Sequence, residues 1–264
     1  SYVDLSQVEI PTEFSNGINN AKTSAACHGV AFFGGTPVDG KGAAKPITMV
    51  MSLLSKQVRK KRLANPNGID YLKYKTLYDS QAPKDIVLES PDNRLLGKDL
   101  DFQPSFLDPL IAEMNRQVKA GAIQNSPLVP SVSPLQILKL GQLVLVCCPG
   151  EVTTTAGQRL VQTVYKVLSS PLSVGKVWLA SYCNDYMGYI TTNEEYQQQG
   201  YEGGHTLFGQ WTHAAIQFKF QQLARQLNVE KSQRDYDQVN RPATIPQHEI
   251  DQRTNHGSLK TAVR

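Results

Sequence analysis

Glu151 stands directly after the breaking dipeptide Pro149-Gly150, where the apolar run 143–148 ends. Behind it comes EVTTTAGQRLVQTVYKVLSS, in which Ala156, Leu160, Val161, Val164, Val167 and Leu168 fall on one helical face. The carboxylate therefore sits in a strand-to-helix turn. Two readings are open there. A carboxylate at a helix N-terminus stabilises the macrodipole. Such turns are also where α/β folds place functional groups. Further on, the apolar strand KVWLASY (176–182) runs into a polar segment, 184–209. That segment holds Tyr186, Tyr189, Tyr196 and Tyr201 with Glu194, Glu195 and Glu202. Tyr189 alone reads equally well as a half-buried tyrosine with a satisfied hydroxyl. The pairing of the two stretches says more. If the strands are parallel neighbours joined by a helix over 153–168, Glu151 and residues 184–189 lie on one sheet edge. Binding sites in such sheets form outside the carboxyl ends of the strands.

The elements that must hold this edge are legible in part. LQILKL, the turn Gly141-Gln142 and LVLVCC read as a hairpin. Its second strand is apolar throughout, as expected when both faces are buried. Thr153, Thr154 and Thr155 supply N-cap candidates for the following helix. A structureless run as long as 184–209 is functional or disordered, and its aromatic and glycine content argues against disorder. Thr191, Thr192, Glu194, Glu195 and Tyr196 cap a helix there or buttress Tyr189. Residues 211–227 form a closing helix, and from about 228 the chain is a polar, proline-interrupted tail. Upstream, GVAFFGGTPVDGKG (29–42) is a short strand and a glycine-dense loop, with Gly34, Gly35 and Gly40 free to take positive φ. Residues 47–63 read as a helix with Val50, Leu53, Leu54 and Val58 on one face and a basic end, Lys56 and Arg59 to Arg62. That end is a solvated helix terminus or a contact for anionic lipid or phosphate. Residues 64–105 are loop-rich, punctuated by prolines, and 109–120 form a short helix.

The chain has 264 residues, 40% of them hydrophobic, enough for a sizeable core. A net charge of +4 is too mild for a dedicated nucleic-acid binder. No apolar stretch is long enough to span a membrane, and SYVDLSQVEI does not read as a signal peptide. Cys27, Cys147, Cys148 and Cys183 form no C-x-x-C pair, which disfavours a cysteine zinc site. They read as small core hydrophobes, with one disulfide left open if the protein is exported. Ser24, Ser105 and Ser181 lack a nucleophile-elbow context.

Several runs together resemble one family. CPGEVTTTAGQRL (148–160) resembles the PGEFTT-x-x-G-R-R-L stretch of neutral ceramidases, and NDYMGYITTNEEYQQQGYEGGHTLFGQWT (184–212) is similar to their N-x-Y-x-x-Y-x-T-T-x-E-E-Y segment. SYVDLS (1–6), GVAFFGGTPVDG (29–40) and QAPKDIVL (81–88) also have counterparts, in the same order and at close spacings. The resemblance implies a zinc-dependent amidase that cleaves the N-acyl bond of ceramide to sphingosine and a fatty acid. It makes Glu151 and Tyr189 zinc ligands, with Tyr189 also donating to the oxyanion. It places Gly34, Gly35, Tyr186 and His205 about the substrate opening. It implies a secreted, periplasmic or cell-surface setting.

The family's nucleophilic serine and two histidine ligands have no counterpart here. His28, His213, His248 and His256 read as structural or surface residues. The expected fold is α/β, a mixed sheet with flanking helices. Residues 1–227 form the C-terminal part of a catalytic domain, 228–264 an extended tail. A second chain carrying the N-terminal half completes the site. Expected partners are ceramide or a related N-acyl sphingolipid and a membrane surface, not nucleic acid. The alternative is a non-catalytic lipid- or partner-binding module of the same fold.

Overall fold

The computed structural model describes residues 1–36, 38, 40–99, 109–121, 128–237 and 239–253; Ser105 and His256 lie outside them. Its strands are β1 (Tyr2–Asp4), β2 (Cys27–Gly29), β3 (Gly35–Thr36), β4 (Gly40–Lys41), β5 (Ile86–Glu89), β6 (Arg94–Leu95), β7 (Lys98–Asp99), β8 (Val132–Pro134), β9 (Gln136–Leu140), β10 (Leu143–Cys147), β11 (Glu151–Val152), β12 (Lys176–Ala180) and β13 (Tyr189–Ile190). Its helices are α1 (Val30–Phe33), α2 (Lys45–Arg62), α3 (Tyr71–Gln81), α4 (Pro109–Lys119), α5 (Thr154–Leu168), α6 (Asn193–Gln197), α7 (Tyr201–Gly204), α8 (Thr212–Leu227) and α9 (Gln247–Arg253).

The expected hairpin and β-α-β unit are both present. β9 and β10 pair antiparallel, with Leu143 opposite Leu140. β10 and β12 pair parallel, with Val144 opposite Val177, and α5 makes the crossover. Ala156, Leu160, Val164 and Leu168 are the buried stripe of α5, and α8 packs along it. One sheet face, with Val144, Val146 and Val177, joins this main core.

The other face departs from expectation. Side chains alternate across a strand, so the register sets Leu140, Leu143 and Lys176 side by side, then Leu138, Leu145 and Trp178. Leu140 is 63% exposed and Trp178 48%. β10 is apolar on both faces, yet among the described residues only one is covered.

Helix α2 does not bury the apolar face read from its sequence. Met51 and Ser55 pack inward, Met51 against Phe33, Val87, Leu88 and Leu95. Val50, Leu53 and Leu54 stay exposed. Part of its basic end belongs to the fold, because Arg62 Nη1 donates to Glu89 at 2.7 Å and its guanidinium lies 4.1 Å from the Tyr74 ring centre. The stretch expected to be loop-rich holds α3 and the strands β5, β6 and β7, which with β2 make a four-stranded sheet, β2-β5-β6-β7. The tail contains α9 and a 3-10 turn at Lys231–Gln233, and Arg241 stacks on Tyr2. All four cysteines are free, three of them buried.

Candidate active site

β11 and β13 form a short parallel pair, just beyond the carboxyl ends of β10 and β12. Its register sets Glu151 against Tyr189 and Val152 against Ile190. The Glu151 amide donates to the Gly188 carbonyl at 3.0 Å, and Met187 donates to Pro149 at 2.8 Å. Two glycines permit this approach. A Cβ at Gly150 would meet Ile190 Cδ1 at 2.8 Å, and one at Gly188, whose φ is +84°, would meet the His205 carbonyl oxygen at 2.7 Å. Pro149-Gly150 thus ends one strand and lets the next segment lie against it.

Side-chain chemistry gathers on this edge. The Tyr186 hydroxyl donates to Glu151 Oε2 at 3.1 Å. Burial and the adjacent Glu151 charge push the Tyr186 phenol above its ordinary range, so it remains a donor at neutral pH. Tyr182 stacks parallel on Tyr186, centroids 5.9 Å apart. His205 lies 5.9 Å from Tyr189, 6.1 Å from Tyr186 and 4.3 Å from Phe32, centroid to centroid. Tyr201 closes the group against Tyr189 and Phe32. Burial, with the nearby Lys84 cation, lowers His205 to about 4, which keeps the ring neutral. Its Nδ1 is buried, with no hydrogen-bond partner among the described residues.

Three of the expected site residues therefore meet as expected: Glu151, Tyr186 and Tyr189. His205 joins them through ring contacts. Gly34 and Gly35 lie at the end of α1, whose Phe32 faces His205. Gly34 itself lines a separate cleft with Thr48, Asp85 and Gln199. Thr192 and Glu195 form a capping box on α6, and Glu195 also accepts from the Thr153 hydroxyl at 2.7 Å. Thr153, an N-cap by position, thus ties two segments together and makes no side-chain cap.

Sequence reasoning missed His28 and Lys84. His28, read as structural or surface, stacks on His205 at 5.1 Å. Lys84 is buried, and its Nζ donates to the carbonyls of Cys27 at 3.0 Å and Thr206 at 2.7 Å. Burial lowers its pKa to about 7. The ammonium clamps β2 to the segment that carries His205. Its signal was the QAPKDIVL run, which carries no local mark of burial.

Carboxylate and phenol oxygens suit a zinc ion. Among the described residues, no group of three or more His, Cys, Asp or Glu side chains is arranged to hold a metal. Glu151 and Tyr189 are donors of these two kinds on one edge.

A family model described as neutral/alkaline non-lysosomal ceramidase, N-terminal, matches residues 1–218. Neutral ceramidase A of Dictyostelium discoideum is 32% identical over 249 residues, 92% of this chain and 28% of that protein. The crystal structure of neutral ceramidase from Pseudomonas aeruginosa superposes with a TM-score of 0.54 at 27% identity, covering 86% of this chain and 27% of that one. A structure of ceramidase complexed with C2 gives 0.56 at 28% identity, over 86% and 29% of the two chains. The chain spans little more than a quarter of the length of the curated relatives it matches.

Proposed function

The chain belongs to the neutral/alkaline non-lysosomal ceramidase family, and from that premise we propose that it supplies one part of a ceramidase active site. The reaction is hydrolysis of the N-acyl amide bond of ceramide, or of a related N-acyl sphingolipid, to a sphingoid base and a fatty acid. The observation that carries this reading is the pairing of Glu151 with Tyr189 on one edge, with the Tyr186 hydroxyl on the Glu151 carboxylate.

In this reading Glu151 and Tyr189 are two zinc ligands, and two histidines come from a second polypeptide. Bound zinc would polarise the amide carbonyl or lower the pKa of a bound water. The chain's own groups have separate tasks. Tyr186 orients the Glu151 carboxylate. The Tyr189 hydroxyl donates to the oxygen that becomes negative as the amide carbon turns tetrahedral. Phe32, Tyr201 and His205 give an aromatic wall that excludes water from an acyl or sphingoid chain. The nucleophile belongs to the missing portion. The uncovered face of the β9-β10-β12 sheet supports this, since a contiguous apolar patch marks an interaction site.

The test is ceramide hydrolysis by this chain, by a polypeptide carrying the rest of the domain, and by the two combined. Activity is expected only in the combination. Full activity from the second polypeptide alone would refute the reading.

A further inference from the structure

Helix α2 presents an apolar stripe that nothing among the described residues covers. Met49 is 67% exposed, Val50 54%, Leu53 60% and Leu54 40%. They recur three and four residues apart, so they form one continuous strip. The helix is held by its opposite side. Met51 enters the core with Phe33 and Leu95, the Ser52 hydroxyl donates to Asp85, and Arg62 pairs with Glu89. The strip is therefore fixed in orientation.

Its charge is equally one-sided. KPITMVMSLLSKQVRKKR contains six cations and no acidic residue. Arg62 is used internally, Arg59 lies over the Tyr78 ring, and Lys56 reaches Asp85 at 3.5 Å while remaining largely exposed. Lys45, Lys60 and Lys61 form no ion pair among the described residues. Helical spacing puts Lys60 and Lys61 in line with Leu53 and Leu54, and Lys45 beside Met49. Just beyond the helix, Ile69 and Leu72 are also solvent-exposed.

We propose that α2 docks this chain on an anionic lipid bilayer, lying in the interfacial plane with Met49, Val50, Leu53 and Leu54 among the acyl chains and Lys45, Lys56, Lys60 and Lys61 on the headgroups. The ammonium groups beside the strip match anionic headgroups in charge, and α2 carries no acid to repel them. A bilayer interface accepts apolar side chains and cations together. No described helix is long and apolar enough to cross a membrane, so the contact is with the surface. This rests on the exposure and charge of α2 and does not depend on the ceramidase reading.

The test is flotation with unilamellar vesicles of phosphatidylcholine alone and of equal parts phosphatidylcholine and phosphatidylserine. The wild-type chain is expected to float with the anionic vesicles and to be released by salt. Each lysine removed from the pair Lys60→Gln and Lys61→Gln should weaken partitioning about fivefold. The double variant Met49→Glu/Leu53→Glu should abolish it. These positions are exposed, so far-UV circular dichroism should be unchanged. Leu140→Glu, on the separate sheet face, should leave flotation intact. The proposal is overturned if the wild type ignores anionic vesicles, if Met49→Glu/Leu53→Glu still floats, or if Leu140→Glu removes binding equally. It is also overturned if the α2 variants instead dissolve a dimer of the chain that ignores vesicles.

Discussion

Glu151 and Tyr189 are direct register partners in a two-residue parallel pair, although a helix, a strand and a tyrosine-rich turn separate them in the chain. The Glu151 amide donates to Gly188, and the Tyr189 amide donates to His205. Backbone bonds on both sides thus fix the Cα positions of the two proposed ligands. What remains to be set is the orientation of the carboxylate.

Tyr186 sets that orientation, through the 3.1 Å bond to Oε2. Tyr186→Phe removes one hydroxyl from a half-exposed ring, so the expected loss of stability is below about 1 kcal/mol. Zinc affinity of the assembled protein should fall by about 10–100-fold, the usual effect of losing a group that orients a ligand. A metal-competition titration, read beside a urea unfolding curve, separates the two effects.

Lys84 is the clamp behind the aromatic wall. Lys84→Met keeps most of the buried stem but strands the carbonyls of Cys27 and Thr206. The expected cost is ~1–3 kcal/mol in urea unfolding. An unchanged unfolding midpoint would show that Lys84 is not holding these segments.

His213 gives a pH signature. Its Nε2–H donates to the Ala156 carbonyl at 3.0 Å, and burial lowers its pKa to about 4, from an ordinary 6.5. The unfolded chain therefore takes up the proton first as pH falls. The stability this site contributes is complete above pH 6.5 and is lost between 6.5 and about 4. Relative to His213→Gln, the wild type should lose on the order of 2–3 kcal/mol more across that window, measured by urea unfolding at each pH.

The bare sheet face predicts an assembly defect. Leu140→Lys and Trp178→Lys place charges on a face that the missing portion is proposed to cover. Both positions are exposed in this chain, so its own folding should change by less than about 0.5 kcal/mol. Co-elution with a polypeptide carrying the rest of the domain should be lost. Retained co-elution would place that contact elsewhere.

How much of this was legible in the sequence depends on how local each cause is. The hairpin and the β-α-β unit follow from period and turn chemistry within single segments, and they bring the segments of Glu151 and Tyr189 to one edge, where β11 and β13 then pair. Helix α3 was not legible because its buried residues, Leu77, Tyr78, Ser80 and Gln81, are nearly consecutive and half polar. They show no 3.6-residue apolar stripe. The four-residue strand β5, buried along its whole length, is too short for its period to mark it. Helix α2 was found, but which of its faces is buried was not legible, because its most apolar stripe is the exposed one. The apolar pattern of β10 was read as burial on both faces, but one of those faces has no covering element among the described residues. Lys84 follows a proline like a surface lysine, and only its three-dimensional partners reveal its position.

The most direct test of the central proposal is zinc content. The chain, a polypeptide carrying the rest of the domain, and their complex would each be dialysed against trace zinc and analysed by atomic emission, with wild-type Glu151 and with Glu151→Ala. The predicted result is stoichiometric zinc in the wild-type complex, none retained by this chain alone, and loss of zinc from the Glu151→Ala complex. Full zinc in the Glu151→Ala complex, together with undiminished amidase activity, would contradict it.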